Sequence, residues 1–358
     1  MIWILHITII SVLFLSSKYF KNKQIFKYGS FIYVLFVYGQ RWLSGTDFPG
    51  YLRYYIVGYT KWNEFLYFSL QELFSSLNLY FGLFLMLILF IIVGNFYRFL
   101  YKFDKKTSIM IFLFLFSEIF FAQLSQLRQF GAISFFIVGY YYSFQKEYFK
   151  SFINIICAIG FHFSALFVSV IVFFKLKLNR LTTLILLGIS AILPFIDIQM
   201  IFTLDIFSRY SGYLDSRFNV PLSQFHYIKF YSLLIIVVFY VLFIDRIKDN
   251  KIEQLIVNGI VMNMIIYGFS FHFAPLIRIS SFFKIFEIVF LVYFFDRLKD
   301  TSKSIILSGV TVYLLGVFSG VVLTDPYDLN KYEFEPIRIF ETRSEDFLRT
   351  EISRFEQK

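Results

Sequence analysis

The sequence predicts an all-α fold, a polytopic bundle of about 10–12 transmembrane helices, and three observations carry that expectation. Of 358 residues, 58% are hydrophobic and 16% charged, whereas soluble domains carry about a quarter charged residues. No soluble core hides that much apolar surface. Apolar stretches approaching the ~20 residues of a spanning helix follow one another along the chain. Clusters of Lys and Arg stand between several of them, as in cytoplasmic loops.

In order, the apolar stretches run over 2–16, 26–38, 79–100, 108–121, 130–144, 149–174, 181–196, 228–244, 255–271, 279–295 and 305–323. The first begins Met-Ile-Trp-Ile-Leu without a basic leader, and no small-residue cleavage site precedes Lys18, so it reads as a retained helix. Lys18, Lys21, Lys23 and Lys27 form one cytoplasmic cluster, and Arg98, Lys102, Lys105 and Lys106 another; Arg246, Lys248, Arg297 and Lys299 complete the set. Basic residues flank 149–174 on both sides, with Lys146 and Lys150 before it and Lys175, Lys177 and Arg180 after it. A straight span cannot return both ends to one side. The segment Gly160-Phe161-His162-Phe163-Ser164 is therefore expected to break it into two short helices that enter and leave from the cytoplasm.

With that hairpin both termini fall outside, and the outer segments are 41–78, 123–129, 197–226, 272–278 and the polar tail from 324. Residues 1–323 then form one membrane domain with large outer loops at 41–78 and 197–226, followed by an extracytoplasmic tail over 324–358. Within the first outer loop, WNEFLYFSLQELFSSL at 62–77 spaces Phe65, Leu66, Phe68, Leu70, Leu73, Phe74 and Leu77 helically, with Gln71 and Glu72 opposite. An amphipathic outer helix is expected there.

Composition also excludes. The excess of 34 Lys and Arg over 24 Asp and Glu is a by-product of loop topology, and no nucleic-acid-binding module is visible. The lone Cys157 lies in an apolar stretch and offers no disulfide. The 53 Phe and 26 Tyr accompany abundant Ile, Lys and Asn, which reads as a compositional bias, and only the aromatics of the outer loops keep a sugar-stacking option. No Cys/His metal spacing, Gly-rich phosphate loop or Asp-x-Asp pair occurs, so neither a metal nor a cofactor is expected.

Ionisable residues in or beside spans are costly and are candidates for function. The turn-rich segment RWLSGTDFPGYLRYY offers Arg41, Asp47, Tyr51 and Arg53, as a binding loop or a solvated loop whose Arg41 snorkels. Arg128-Gln129 follows Glu118 and Gln123; a guanidinium there suits diphosphate oxygens, or pairs with Glu118, or anchors at the interface. His162 at the break is either a hydrogen-bonded core residue or a base for a sugar hydroxyl, with Ser164 beside it. Arg278, after Phe271-His272-Phe273, reads as a second buried outer cation, and Arg209, Tyr210 and Asp215 add polar groups to the loop at 205–217.

GTDFPGY at Gly45, NEFLYFSLQELFSSLNLYF at Asn63, LRQFGAISFF at Leu127, FHFSAL at Phe161 and RISSFF at Arg278 together resemble the EpsG family, grouped with Wzy-type O-antigen and capsule polymerases. The sequence departs from that pattern at Phe65, where a Pro often follows the Glu, and His272 has no counterpart in it. The resemblance implies a glycosyltransferase of the bacterial cytoplasmic membrane that joins oligosaccharides carried on undecaprenyl diphosphate, with a flippase and a chain-length regulator as partners. It implies substrate contacts at Arg41, Tyr51, Gln129 and Ser164, to which Arg209 and Tyr210, read from the polar outer loop rather than from the resemblance, are expected to add. The expected chemistry is an inverting, metal-free transfer at an outward-facing site, with Arg128 and Arg278 holding the diphosphate and His162 or Asp47 taking the hydroxyl proton. A flippase or transporter of the same lipid-linked sugar, a membrane acyltransferase and a non-catalytic scaffold remain open alternatives.

Overall fold

The computed structural model describes residues 2–58, 64–197, 219, 221–330, 332–334 and 345–357, and these are almost wholly helical. Each predicted apolar stretch is helical over most of its length. Five helices are long and apolar enough to cross a membrane: Ile2–Tyr19, Phe81–Phe103, Gln224–Phe243, Lys251–Phe269 and Asp300–Thr324. A bent pair, Thr107–Leu115 with Glu118–Ser125, passes the same test as one broken span. Large apolar side chains point outward along these and the shorter apolar helices, among them Phe149 at 76% and Leu323 at 82% exposure. An apolar exterior fits lipid as the solvent.

The fold divides into two units, residues 1–169 with 318–358, and residues 170–317. In the first unit α1 (Ile2–Tyr19) turns back through Lys21, at φ 51°, into α2 (Lys23–Gly39). The Asn22 side chain caps α2 by accepting from the Gln24 N–H at 3.0 Å. A two-residue strand β1 (Arg41–Trp42) follows, then α3 (Phe48–Val57), which carries Pro49 in its first turn and stops at Gly58 with φ 82°. After α4 (Phe65–Ser76), α5 (Phe81–Leu100) runs the length of the unit beside α2 and α8 (Leu127–Phe144).

The sequence read 108–121 as one stretch; the structure bends it by 55° between α6 (Thr107–Leu115) and α7 (Glu118–Ser125). The Ser117 hydroxyl donates to the Phe114 carbonyl at 2.7 Å. His6, fully buried on α1, bonds the Leu115 carbonyl at 2.9 Å. That carbonyl lies at the bend, where the helical ladder is interrupted and a side chain must serve it.

Helix α9 (Tyr148–Phe161) packs closely on α8: a Cβ at Gly131 would sit 2.2 Å from the Phe161 ring. The expected break occurs. His162 is extended (φ −155°, ψ 128°) and α10 (Ser164–Ser169) starts two residues later. The basic loops of this unit meet at the Phe144 end of α8. There Arg98 donates to the Tyr142 hydroxyl at 2.9 Å, Lys150 lies 5.4 Å from the Tyr142 ring, and Lys27 lies 3.7 Å from the Tyr101 ring. The tail joins the opposite end. Its strand β2 (Glu333–Phe334) pairs antiparallel with β1, and its helix α17 (Glu345–Gln357) packs on α3.

In the second unit residues 174–179 belong to no helix or strand. Gln254 and Asn258, one turn apart on α13 (Lys251–Phe269), bond the backbone N–H and C=O of Leu178 and Leu176 as a neighbouring strand would. Asn179 and Thr182 then form a capping box at the start of α11 (Arg180–Ile192). The basic loops again gather at one end: Lys177 pairs with Asp249 at 3.3 Å and Arg297 with Glu253 at 2.7 Å. Helices α12 (Gln224–Phe243), α14 (Leu276–Ser280), α15 (Ile285–Phe294) and, as far as residue 317, α16 (Asp300–Thr324) complete this unit. Glu287 on α15 accepts from Asn263 of α13 at 2.9 Å and from Tyr313 of α16 at 3.2 Å, tying three apolar helices together.

Candidate functional site

The polar centre of the first unit forms around a residue that sequence reasoning passed over. Glu64 stands at the N-cap of α4 but makes no cap hydrogen bond. Its side chain, 7% exposed, faces two cations or potential cations instead: Oε2 accepts from Arg128 Nη1 at 2.6 Å, and Oε1 lies 3.2 Å from His162 Nδ1. Arg128 enters from the first turn of α8 and His162 from the break after α9. Both partners thus come from segments more than sixty residues along the chain from the carboxylate they share.

The Ser164 N–H also points toward His162 Nδ1, at 3.5 Å. One nitrogen cannot donate to Glu64 and accept from Ser164. The shorter, charge-assisted contact to the carboxylate prevails, since a 3.5 Å approach is barely a hydrogen bond. Nδ1 then carries the proton and Nε2 the lone pair, a tautomer inferred from the partner.

Aromatic rings of α3 and α4 close over the guanidinium. The Tyr51 ring lies 5.8 Å and the Phe68 ring 5.9 Å from Arg128 Cζ. Burial, reinforced by Asp47, pushes the Tyr51 phenol well above its ordinary range, so it remains a hydroxyl. Arg128 Nε and the Tyr67 hydroxyl are buried with no hydrogen-bond partner among the described residues. Buried donors in that state mark a place for water or a polar ligand.

Arg41 plays another part than the sequence reading gave it. It neither snorkels nor lies in a solvated loop: it is 2% exposed and donates to the Tyr38 carbonyl at 2.9 Å and the Leu124 carbonyl at 2.7 Å. Burial lowers its guanidinium to about 10, still a cation at neutral pH. The fork fastens the start of the GTDFPGY loop to the end of α7. Gly45 completes the attachment with φ 103°, where an added Cβ would lie 3.2 Å from Ser125 Cα. Thr46 and Ser125 share a hydroxyl contact at 2.7 Å.

The other expected residues divide. Asp47 is exposed at the N-cap of α3, with Oδ2 3.4 Å from the Tyr51 hydroxyl. Gln129 is buried on α8, and Ser164, half-buried, opens α10. Glu118, expected as a partner for Arg128, accepts from the Tyr327 hydroxyl at 3.1 Å. Arg278 belongs to the second unit and is exposed on α14, not buried as its sequence position implied. His272 contacts the Pro194 carbonyl at 2.7 Å. Arg209, Tyr210 and Asp215 lie outside the described residues. On α4 the protein-facing side carries Tyr67, Phe68, Gln71 and Ser75, while Phe65, Leu73 and Leu77 are exposed. Gln71, expected on the polar outer side, turns inward and donates to the Tyr54 carbonyl at 3.1 Å.

Glu64 had one signal in the sequence, an acid heading a helix whose first turn is otherwise apolar. Its partners could not be read there. Among the described residues no group of three or more His, Cys, Asp or Glu side chains comes together to hold a metal ion.

No curated protein and no solved structure matches the chain. A family model does, over residues 24–334, which spans α2, the loop with α3, all three members of the Glu64 group and the strand β2. On that match the chain belongs to the EpsG family, a family of Wzy-type polysaccharide polymerase-like membrane proteins.

Proposed function

We propose that the protein polymerises oligosaccharide repeat units carried on undecaprenyl diphosphate, at the outer face of the bacterial cytoplasmic membrane, by metal-free glycosyl transfer. The observation that carries this reading is the single carboxylate of Glu64 shared between Arg128 and His162. It pairs an anion-binding group with a proton acceptor at one end of a membrane bundle.

In the proposed step a hydroxyl oxygen of one lipid-linked unit attacks the anomeric carbon of the other. The new C–O bond forms as the bond to the diphosphate breaks. His162 Nε2 takes the hydroxyl proton, with Nδ1–H held on Glu64, and the resulting imidazolium is stabilised by that carboxylate. The diphosphate leaves with its electron pair, and its charge is met by Arg128, whose planar fork suits phosphate oxygens. Asp47, exposed and at the margin of the group, is the weaker base, because an ordinary carboxylate has a pKa of about 4. Arg41 acts indirectly, by holding the loop that presents Tyr51 to Arg128.

The outward orientation is supported by charge. The group sits at the Leu127 end of α8, and the Lys and Arg loops of this unit sit at the Phe144 end, ~27 Å away for an 18-residue helix. The test is the surface polysaccharide of cells carrying His162→Ala or Arg128→Ala at normal protein level. The expected result is single repeat units in place of a ladder. Long chains from both variants would end the proposal, and repeat units retained on the inner leaflet would point to a flippase instead.

A further inference from the structure

The basic end of the first unit holds a group of cations that the proposed reaction does not use. Arg98 comes from the last turn of α5, Lys102 from the short 3-10 helix Tyr101–Lys106 that follows it, and Lys150 from the first turn of α9. All three converge on one ring, that of Tyr142 in the last turn of α8. Arg98 Cζ lies 5.6 Å, Lys102 Nζ 5.7 Å and Lys150 Nζ 5.4 Å from its centroid. Arg98 also donates to the Tyr142 hydroxyl at 2.9 Å, and Lys102 lies 5.4 Å from the neighbouring Tyr141 ring. Tyr142 is buried, whereas Arg98 and Lys150 are exposed and Lys102 is half-buried.

Loop topology accounts for cations at this end of the unit, but it does not gather three of them, from three elements, over one ring. Glu147 pairs with Lys150, and the group with that acid included is still cationic. An apolar strip begins beside these charges. Along α9, Phe149, Phe152, Ile153 and Ile156 are exposed and recur at helical spacing, so they form one stripe that runs away from Lys150 along the helix. Lys150 and Ile153 are one turn apart, so the cations border the stripe. A charged cluster at the rim and an apolar stripe beneath it match the two halves of a phospholipid in the order in which a bilayer presents them.

We infer that Arg98, Lys102 and Lys150, gathered on Tyr142, bind the headgroup of an anionic phospholipid whose acyl chains lie along the exposed stripe of α9. The Arg98 fork, held at one nitrogen by the Tyr142 hydroxyl, offers its other N–H groups to a phosphodiester. Lys102 and Lys150 add point charges that need no planar fit. The face of the Tyr142 ring attracts each cation and so fixes where the three stand. A free phosphate ion meets the charges but leaves the stripe unused, and an acidic protein segment does not follow the stripe into hydrocarbon; a lipid satisfies both. Tyr142 and Lys150 stand at the ends of α8 and α9 opposite Arg128 and His162. The inference therefore goes beyond the polymerase reading and stands or falls by lipid binding, not by chain synthesis.

The test uses the full-length protein in neutral detergent, titrated with phosphatidylglycerol or phosphatidylcholine and read by native mass spectrometry. The expected result is a phosphatidylglycerol adduct that phosphatidylcholine does not match at equal concentration and that excess inorganic phosphate does not remove. Each cation beside an anionic headgroup contributes about fivefold in affinity, so Arg98→Gln with Lys150→Gln should weaken the adduct about 25-fold. If that variant does not fold, Lys150→Gln alone carries the test through a loss of about fivefold. Phe149→Ser with Phe152→Ser keeps the cations and should also weaken the adduct; no change there would overturn the place given to the acyl chains. Equal retention of the two lipids, or unchanged retention by a folded cation variant, overturns the site. Displacement by inorganic phosphate overturns the lipid in favour of a free anion. Arg128→Ala is expected to leave the adduct in place, whereas long chains from cells carrying His162→Ala and Arg128→Ala would end the polymerase reading and not this one.

Discussion

Replacing Glu64 by Gln changes one atom type and alters both contacts of the group. The carboxylate accepts from Arg128 at 2.6 Å and from His162 Nδ1 at 3.2 Å. An amide has one acceptor and one donor end. The stronger demand, from the guanidinium, takes the oxygen and leaves the NH2 facing His162. Nδ1 must then become the acceptor, the ring proton moves to Nε2, and the proposed base loses its lone pair. General-base catalysis is worth about a hundredfold to ten-thousandfold in rate, so transfer should fall by about that factor while the fold persists. Glu64→Ala is harsher, because it strands the Arg128 charge. Breaking a buried ion pair costs about 3–5 kcal/mol, and the 20% exposure of Arg128 places the cost toward the lower end. The assay is chain-length distribution at matched protein level, with a melting temperature for each variant. Glu64→Gln making chains at the normal rate would refute the tautomer argument. Equal melting of Glu64→Ala and the parent protein would refute the pairing.

Other perturbations test separate parts. Arg128→Lys keeps the charge but loses the fork, and should lower turnover more than Tyr51→Phe, measured with purified lipid-linked substrate. Arg41→Lys forfeits one of the two carbonyl bonds that hold the GTDFPGY loop; at about 1–3 kcal/mol for a buried acceptor left unserved, the melting temperature should drop and activity with it, and an unchanged melt would contradict the burial argument. His6→Leu leaves the Leu115 carbonyl at the α6–α7 bend without its donor and should destabilise by a similar ~1–3 kcal/mol, seen in thermal unfolding. A reporter fused after Lys358 should behave as extracytoplasmic, because the tail lies at the end of the unit opposite its basic loops. Finally, removing α17 deletes the Trp42–Glu351 hydrogen bond of 2.5 Å and the stacking of Phe48 on Phe355; increased proteolysis within 41–58 is the expected signature, and unchanged protection would show that the tail does not restrain the loop.

The sequence by itself determined where helices lie and that their surroundings are apolar. Hydrophobic length and loop charge are properties of consecutive residues, so the stretches at 79–100 and 228–244 could be marked without knowing what they touch. The break at His162 was legible for the same reason: basic groups on both sides of one apolar segment state a conflict along the chain. The bend at Phe116 was not, since it raises no such conflict, and the group that serves it, His6, comes from another helix.

Only the tertiary structure decided which polar groups meet. A carboxylate at the head of α4 has many acceptable partners in sequence. That Glu64 binds Arg128 and His162, while Glu118 takes Tyr327, depends on how α4, α8 and α9 pack. Burial of Arg41, Lys229 and Lys284 is equally a product of packing, because long side chains that would reach water from an isolated helix are enclosed once neighbours surround them. Local pattern fixes the helices; the cost of leaving a buried charge or carbonyl unserved selects their polar partners, and that cost exists only after the helices have come together.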